Sequence, residues 1–216
     1  MALKNLLLVK YVCYARFDTM RLFVALDICP GVRDQIRSFA DNVRHLAPAA
    51  RWVSADSLHV TLKFIGEKPD DFVKQIEHSL SSIRAKSFEL HFRGTGFFPT
   101  PRSARVFWIG IQGDNALARL ATKIEDALNE IHIPRENRPF SPHLTLARAG
   151  SGAPGRLRGD KPNRQFAKLQ EYIDKHPAPD FGTISAREFF LYRSQLSPKG
   201  SKYTKLARFE LQPPSD

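Results

Sequence analysis

Leu58-His59-Val60-Thr61-Leu62-Lys63-Phe64-Ile65-Gly66 decides the fold, because its centre, His59 to Leu62, returns as His143-Leu144-Thr145-Leu146 within the stretch Ser141 to Arg148. Each copy sits in a short apolar run that reads as a β-strand. Residues i and i+2 of a strand face the same way, about 6–7 Å apart, so each His shares a face with its Thr while the residue between them turns toward the core. Two such strands facing one cleft supply two imidazoles, one able to take a proton and the other to give one.

The copies lie 84 residues apart, from position 59 to position 143, close to half of the chain beyond Met20. That spacing predicts an α+β fold of two pseudo-symmetric lobes. Each lobe is expected to hold a small, mainly antiparallel sheet with outer helices, and the motif strands to meet across a central groove. Apolar positions support the same scheme in both halves. Arg21 to Leu26 reads as an opening strand, and Val32, Ile36, Phe39, Val43 and Leu46 mark a helix. Arg51 to Val53 reads as short and extended, and Leu58 to Ile65 as the first motif strand, ended by Gly66. Pro69-Asp70-Asp71 opens a second helix carrying Phe72, Ile76, Leu80 and Ile83. Phe88, Leu90 and Phe92 alternate as in a strand, and Arg105 to Ile111 is another.

In the second half, Asp114 or Asn115 caps a helix with Leu117, Leu120, Ile124, Leu128 and Ile131 on one face, stopped by Pro134. The second motif strand is read over Pro142 to Ala147, and a long exposed loop from Gly150 to Asn163. A fourth helix carries Phe166, Leu169 and Ile173, and Ile184 to Leu196 with Tyr203 to Leu211 form a closing strand pair.

Domain boundaries follow from the first strand. Residues 1–19 show no clean periodicity and are expected to be a leader, disordered, the product of an upstream start, or a short docked strand or helix, and residues 20–216 a single bilobal domain. The 216 residues, 42% of them hydrophobic, suffice for one large core. No stretch reaches the roughly 18 apolar residues of a membrane span, so a protein of the cytoplasm without membrane contact is expected. Cys13 and Cys29 form no pair with metal-ligand spacing. The net charge of +11 favours a polyanionic partner, and Arg135, Arg138, Arg148, Arg156, Arg158, Lys161 and Arg164 gather around and after the second motif.

Two histidines with two hydroxyls suit in-line displacement at phosphorus, where a base activates the nucleophile and an acid protonates the departing oxygen. Hydroxyls can hold the non-bridging oxygens as charge builds there. A zinc site would want a third ligand and usually a carboxylate nearby, and neither motif contains one, so metal-free chemistry without a cofactor is expected. The other five histidines, His45, His78, His91, His132 and His176, lack the motif's context. Spacing alone does not say which motif His is acid and which is base.

His59-Val-Thr-Leu-Lys-Phe-Ile-Gly66 and Ser141-Pro-His-Leu-Thr-Leu-Ala-Arg148 resemble the paired signatures of the two-histidine phosphoesterase superfamily, in particular its RNA 2′,3′-cyclic phosphodiesterase branch, also called 2′-5′ RNA ligase-like proteins. Arg21 to Asp27, Phe98 to Arg102 on to Trp108, and Phe190 to Leu211 resemble that branch's flanking segments. The resemblance implies hydrolysis of a terminal RNA 2′,3′-cyclic phosphate to a 2′-phosphomonoester, with 2′-5′ ligation as a reversible side activity. It casts His59 as proton donor and His143 as proton acceptor, and Thr61, Thr145 and Arg148 as phosphate-binding residues. The partner it implies is RNA with a cyclic phosphate end, tRNA-derived ends among the candidates, acted on by a monomer. The competing expectations are a phosphodiesterase for a small cyclic nucleotide or a cyclic ADP-ribose phosphate, and a non-catalytic RNA-binding module.

Overall fold

The computed structural model describes residues 19–150, 162–197 and 200–213. The leader reading, apart from Thr19, and most of the 150–163 loop reading fall outside them. In chain order the elements are β1 (Thr19–Leu26), α1 (Pro30–Val43), β2 (Arg51–Trp52), β3 (Val60–Pro69), α2 (Val73–Ser81), β4 (Phe88–Phe98), β5 (Val106–Gln112), α3 (Ala116–Glu130), β6 (His143–Arg148), α4 (Ala167–Lys175), β7 (Asp180–Ala186), β8 (Glu188–Ser197) and β9 (Gly200–Glu210).

The strands form two antiparallel sheets, one in the order β3-β1-β8-β9 and the other β2-β6-β5-β4-β7. The duplication read from the motifs is present in this order. β3 pairs with β1 as β6 pairs with β5; β8 and β9 extend the first sheet as β4 and β7 extend the second. The halves also exchange parts. β4, from the first half of the chain, lies in the second sheet, and β8 and β9 return to the first. Helix α1 leaves β1 of the first sheet and packs on β7 of the second, with Phe39 edge-on to Phe181 at 5.3 Å. Helix α3 leaves β5 of the second sheet and packs on β3 of the first. Because each of these stripes is buried on the opposite sheet, Ile36, Val60, Phe107, Ile124 and Leu144 belong to one continuous core. Such exchange ties the lobes together and fixes one motif strand relative to the other.

Three boundaries differ from the sequence reading. β3 does not stop at Gly66; it runs to Pro69, with Gly66 at φ +87°, a conformation that favours glycine, just after a ladder irregularity at Ile65. Ile184 to Leu196 is not one strand but two in different sheets, β7 and β8, changing over at Arg187. The change is visible as a slip of phase in the main core, to which Ile184 and Ala186 contribute, then Phe189 and Leu191, while Phe190 and Tyr192 are buried on the other face. Pro134 does not itself stop α3, which ends at Glu130 and turns away through His132 at φ +63°. The expected cap holds: the Asp114 carboxylate accepts from the Ala116 N–H at 2.6 Å.

Candidate active site

Both motif strands carry the same irregularity at the same place. In the β1–β3 ladder Ala25 faces Thr61 and Val24 faces Lys63, so Leu62 is skipped. In the β5–β6 ladder Trp108 faces Thr145 and Phe107 faces Ala147, so Leu146 is skipped. Each is a β-bulge directly after the motif threonine, and it resets the alternation of side chains. Leu62 and Lys63 are therefore both buried, as are Leu146 and Ala147. One step on, Phe64 and Arg148 return to the face of their threonine: Phe64 lies opposite Phe23, and Arg148 opposite Val106, each two residues along the neighbouring strand from the threonine's partner. Phe64 is 57% exposed, an unusual value for a large hydrophobic residue, and Arg148 is exposed too.

His59 immediately precedes β3 and His143 opens β6. Each imidazole meets the backbone carbonyl two residues earlier through Nδ1: His59 to Ser57 O at 2.8 Å, and His143 to Ser141 O at 2.8 Å. A carbonyl only accepts, so Nδ1 carries the hydrogen and donates. Nε2 is left as the reactive nitrogen of both rings, an acceptor when the ring is neutral and a donor when it is protonated. The two histidines are thus built alike down to the tautomer.

Aromatic rings hold both in place. His59 lies against Phe23, centroids 4.8 Å apart, and meets Tyr203 edge-on at 5.0 Å. Phe23, Ala25, Phe190, Tyr192 and Tyr203 form an apolar cluster separate from the main core, on the motif side of the first sheet. At its margin the Asp27 carboxylate accepts from the Tyr192 hydroxyl and from Lys205 Nζ, which also lies 3.8 Å from the centre of the Phe190 ring. Burial and the neighbouring Asp27 raise the Tyr192 hydroxyl well above its ordinary range, so it stays a donor. On the second sheet His143 meets Phe98 edge-on at 5.0 Å, and Phe98 lies 5.0 Å from Trp108. Trp108 covers Gly96 so closely that a Cβ there would stand 2.3 Å from the indole.

Burial lowers the pKa of both histidines, the hydrogen bond to the backbone carbonyl opposes this, and the Arg148 charge lowers both further. One guanidinium therefore acts on both motifs. The carboxylate of Asp27 acts on His59 alone of the two, and in the raising direction. Thr61 and Thr145 are half-buried on the faces of their histidines. Beneath the first motif, Lys63 Nζ donates to Glu125 Oε2 at 2.6 Å and to the Pro134 carbonyl at 2.7 Å, and Glu125 Oε2 accepts from the Glu136 N–H at 3.2 Å. This part-buried tie joins β3 to α3 and to the segment that leads into the second motif.

Phe64, Asp27, Tyr203 and Lys63 were not among the residues read from the sequence as part of the site. A strand pattern of period two would have put Lys63 outward on the face of Thr61 and turned Phe64 inward; the bulge at Leu62 reverses both. Among the described residues no three or more His, Cys, Asp or Glu side chains gather in a way that could hold a metal ion. No helix among them is long and apolar enough to cross a membrane.

Two exchanged α+β halves, each with a His-x-Thr strand, define the class of the two-histidine phosphoesterases. The family model described as LigT like phosphoesterase matches the chain twice, over residues 26–108 and 109–203, so that each match contains one motif. The chain belongs to the LigT-like phosphoesterase family. It is 32% identical to the RNA 2′,3′-cyclic phosphodiesterase of Archaeoglobus fulgidus over 191 residues, covering 88% of this chain and 100% of that one. It is 33% identical over 205 residues to the protein of the same name from Thermus thermophilus, covering 89% and 91% of the two. Among solved structures, E. coli LigT complexed with 3′-AMP is similar with a TM-score of 0.70 at 31% identity, over 90% of this chain and 99% of that one.

Proposed function

We propose that this chain is an RNA 2′,3′-cyclic phosphodiesterase that works by two-histidine acid–base catalysis. The observation that carries the reading is the matched pair of imidazoles, each holding its Nδ1 hydrogen on a backbone carbonyl and leaving Nε2 for chemistry. Neutral His143 takes a proton from water through Nε2, and the water oxygen forms a bond to phosphorus. As the bond from phosphorus to O3′ breaks, protonated His59 gives its Nε2 proton to O3′. The products are a 2′-phosphomonoester and a free 3′-hydroxyl; the histidines exchange one proton with solvent to reset. A ribose 5′-hydroxyl in place of water would form a 2′-5′ bond by the same steps.

The donor role of His59 follows the family resemblance; burial lowers its pKa as it does that of His143, and Asp27 opposes that lowering at His59 alone of the two. That carboxylate favours the imidazolium of His59, whereas nothing acidic among the described residues raises His143. The Thr61 and Thr145 hydroxyls donate to the non-bridging oxygens, and Arg148 offsets the charge that builds on them. Phe64 supplies a flat exposed apolar face on the side of its sheet that carries Thr61, suited to stacking by the terminal base. The relatives named for RNA 2′,3′-cyclic phosphate and the net positive charge support RNA as substrate, and tRNA-derived ends are among the substrates we propose. The protein, we propose, acts as a monomer in the cytoplasm.

The test is turnover of a cyclic-phosphate-ended RNA oligomer beside a 2′,3′-cyclic mononucleotide, with product identified by its resistance or sensitivity to 3′-phosphate-specific release. A 2′-phosphate from the oligomer supports the reading. Turnover of the mononucleotide alone would favour a small cyclic nucleotide as substrate, and tight oligomer binding without product would favour a binding module.

A further inference from the structure

β2 is only two residues long, yet it extends the second sheet beyond β6 and places Arg51 directly opposite Arg148. Directly opposed residues of an antiparallel pair share a face and sit about 4.5–5.5 Å apart at Cα. The face follows from their neighbours. Trp52 faces the buried Ala147 and meets Phe107 edge-on at 6.0 Å, so that pair lies on the core side. Arg51 and Arg148 therefore lie on the other side, the face of His143 and Thr145. Both are exposed.

Like charges opposed across a ladder destabilise the pairing, and among the described residues no acidic side chain pairs with Arg51. Among the described residues Arg51 donates only to the Ala149 carbonyl, at a long 3.4 Å, and the acid closest to it in sequence, Asp56, contacts Arg37 at 3.5 Å. Two exposed arginines aligned on the face of His143 and Thr145 suit an anion that arrives with the ligand. Arg148, whose charge acts on both histidines, belongs to the reacting phosphate; Arg51 stands one strand further from it.

We propose that Arg51 forms a second phosphate subsite, which holds the internucleotide phosphodiester on the 5′ side of the terminal nucleotide. The inference rests on the proposed reading of the reacting site and sharpens it, because a mononucleotide has no phosphate to place there. Arg51 then sets a preference for a chain end over a free cyclic nucleotide.

The experiment compares a cyclic-phosphate-ended dinucleotide with a 2′,3′-cyclic mononucleotide, in turnover, and a 2′-phosphate-ended dinucleotide with a nucleoside 2′-monophosphate, in direct binding. Arg51→Gln is expected to lower the dinucleotide-to-mononucleotide ratio of kcat/KM about tenfold, mainly through KM, and to reduce the salt dependence of dinucleotide binding by about 0.7 in log–log slope. Arg51→Lys, which keeps the charge, should restore most of that slope. Equal losses on both ligands, or none on the dinucleotide, would overturn the subsite and leave Arg51 as a charge guarding an edge strand. Failure of the reacting-site reading looks different. A wild-type protein that turns over neither substrate, yet binds the dinucleotide more tightly through Arg51, would sink the hydrolysis and retain the subsite. A wild-type protein with no preference for the dinucleotide in binding would sink the subsite whatever the turnover.

Discussion

Phe64 and Arg148 occupy equivalent positions in the two halves: each stands five residues beyond its motif histidine, past a bulge at Leu62 or Leu146, and each is exposed on the face of its threonine. The duplicated framework thus carries an aromatic ring on one side and a guanidinium on the other. The symmetry ends where a nucleotide's own asymmetry, base against phosphate, begins.

Substitutions at the two positions should separate accordingly. Arg148→Ala is expected to lower kcat by about 10²–10³-fold, because in the proposed mechanism the guanidinium acts on charge that builds in the transition state. Phe64→Ala should act mainly on KM, raising it about tenfold, the lower part of the range for one base stacked on one ring, and Phe64→Trp should restore it. Steady-state kinetics on one RNA oligomer checks both. Equal effects on kcat from the two alanine variants would contradict the division of labour.

The pH profile of kcat/KM should be a bell with its maximum below pH 6.5. The active form needs one protonated and one neutral imidazole, and burial and Arg148 lower both from their ordinary value of 6.5. The limbs report apparent constants of the pair. Asp27→Asn removes the charge that raises His59, so the alkaline limb should move to lower pH and activity near neutrality should fall. An unmoved profile would remove Asp27 from the account.

The same shifts make stability depend on pH in a stated direction. A histidine whose folded pKa is lowered contributes stability that is present above about pH 6.5 and is lost as pH falls through the folded value. Urea unfolding should show a lower midpoint at pH 5.5 than at pH 7.5, and a 2′-nucleotide, whose phosphate favours imidazolium, should reduce the difference. A midpoint that rises on acidification between those values would contradict the lowered pKa values.

Lys63 is 5% exposed and its tie to Glu125 and the Pro134 carbonyl joins the first motif strand to the approach of the second. Lys63→Met should lower stability by about 2–3 kcal/mol, less than for a fully buried pair because Glu125 remains 18% exposed. Lys63→Met with Glu125→Leu should recover more than half of that loss. Chemical denaturation of the variants reads the outcome, and additive losses would show that the two side chains do not act as a pair.

Gly96→Ala tests how His143 is held. The added methyl would overlap Trp108, which must move and take Phe98 with it, away from its edge contact with His143. Overpacking of this kind destabilises by about 1–3 kcal/mol, and kcat should fall with it. Full activity in a folded Gly96→Ala variant would show that Phe98 has no part in placing the imidazole.

Much of this site was legible in the sequence because its proposed catalytic groups are local. His59 and Thr61 share one strand face by simple alternation, and the repeat at His143 and Thr145 announced the duplication. The apolar stripes of Ile36, Ile76, Leu120 and Leu169 likewise named the helices. What escaped was set by contacts between distant segments. Nothing near α1 in sequence says that Phe39 packs on Phe181 of the other sheet. The bulges at Leu62 and Leu146 arise from pairing with β1 and β5, so the inward turn of Lys63 and the outward turn of Phe64 were hidden until the ladders were known. Arg51 had no local signal at all, since its meaning comes from standing opposite Arg148.

The central claim is that two equivalent histidines divide acid and base work on a cyclic phosphate. Its most direct test is hydrolysis of a cyclic-phosphate-ended RNA oligomer in EDTA by the wild-type protein and by the His59→Ala and His143→Ala variants, with the product end identified. The account predicts a 2′-phosphomonoester from the wild-type protein and loss of most of the rate in each folded variant. A 3′-phosphate product, dependence on added metal, or wild-type activity in either variant would contradict it.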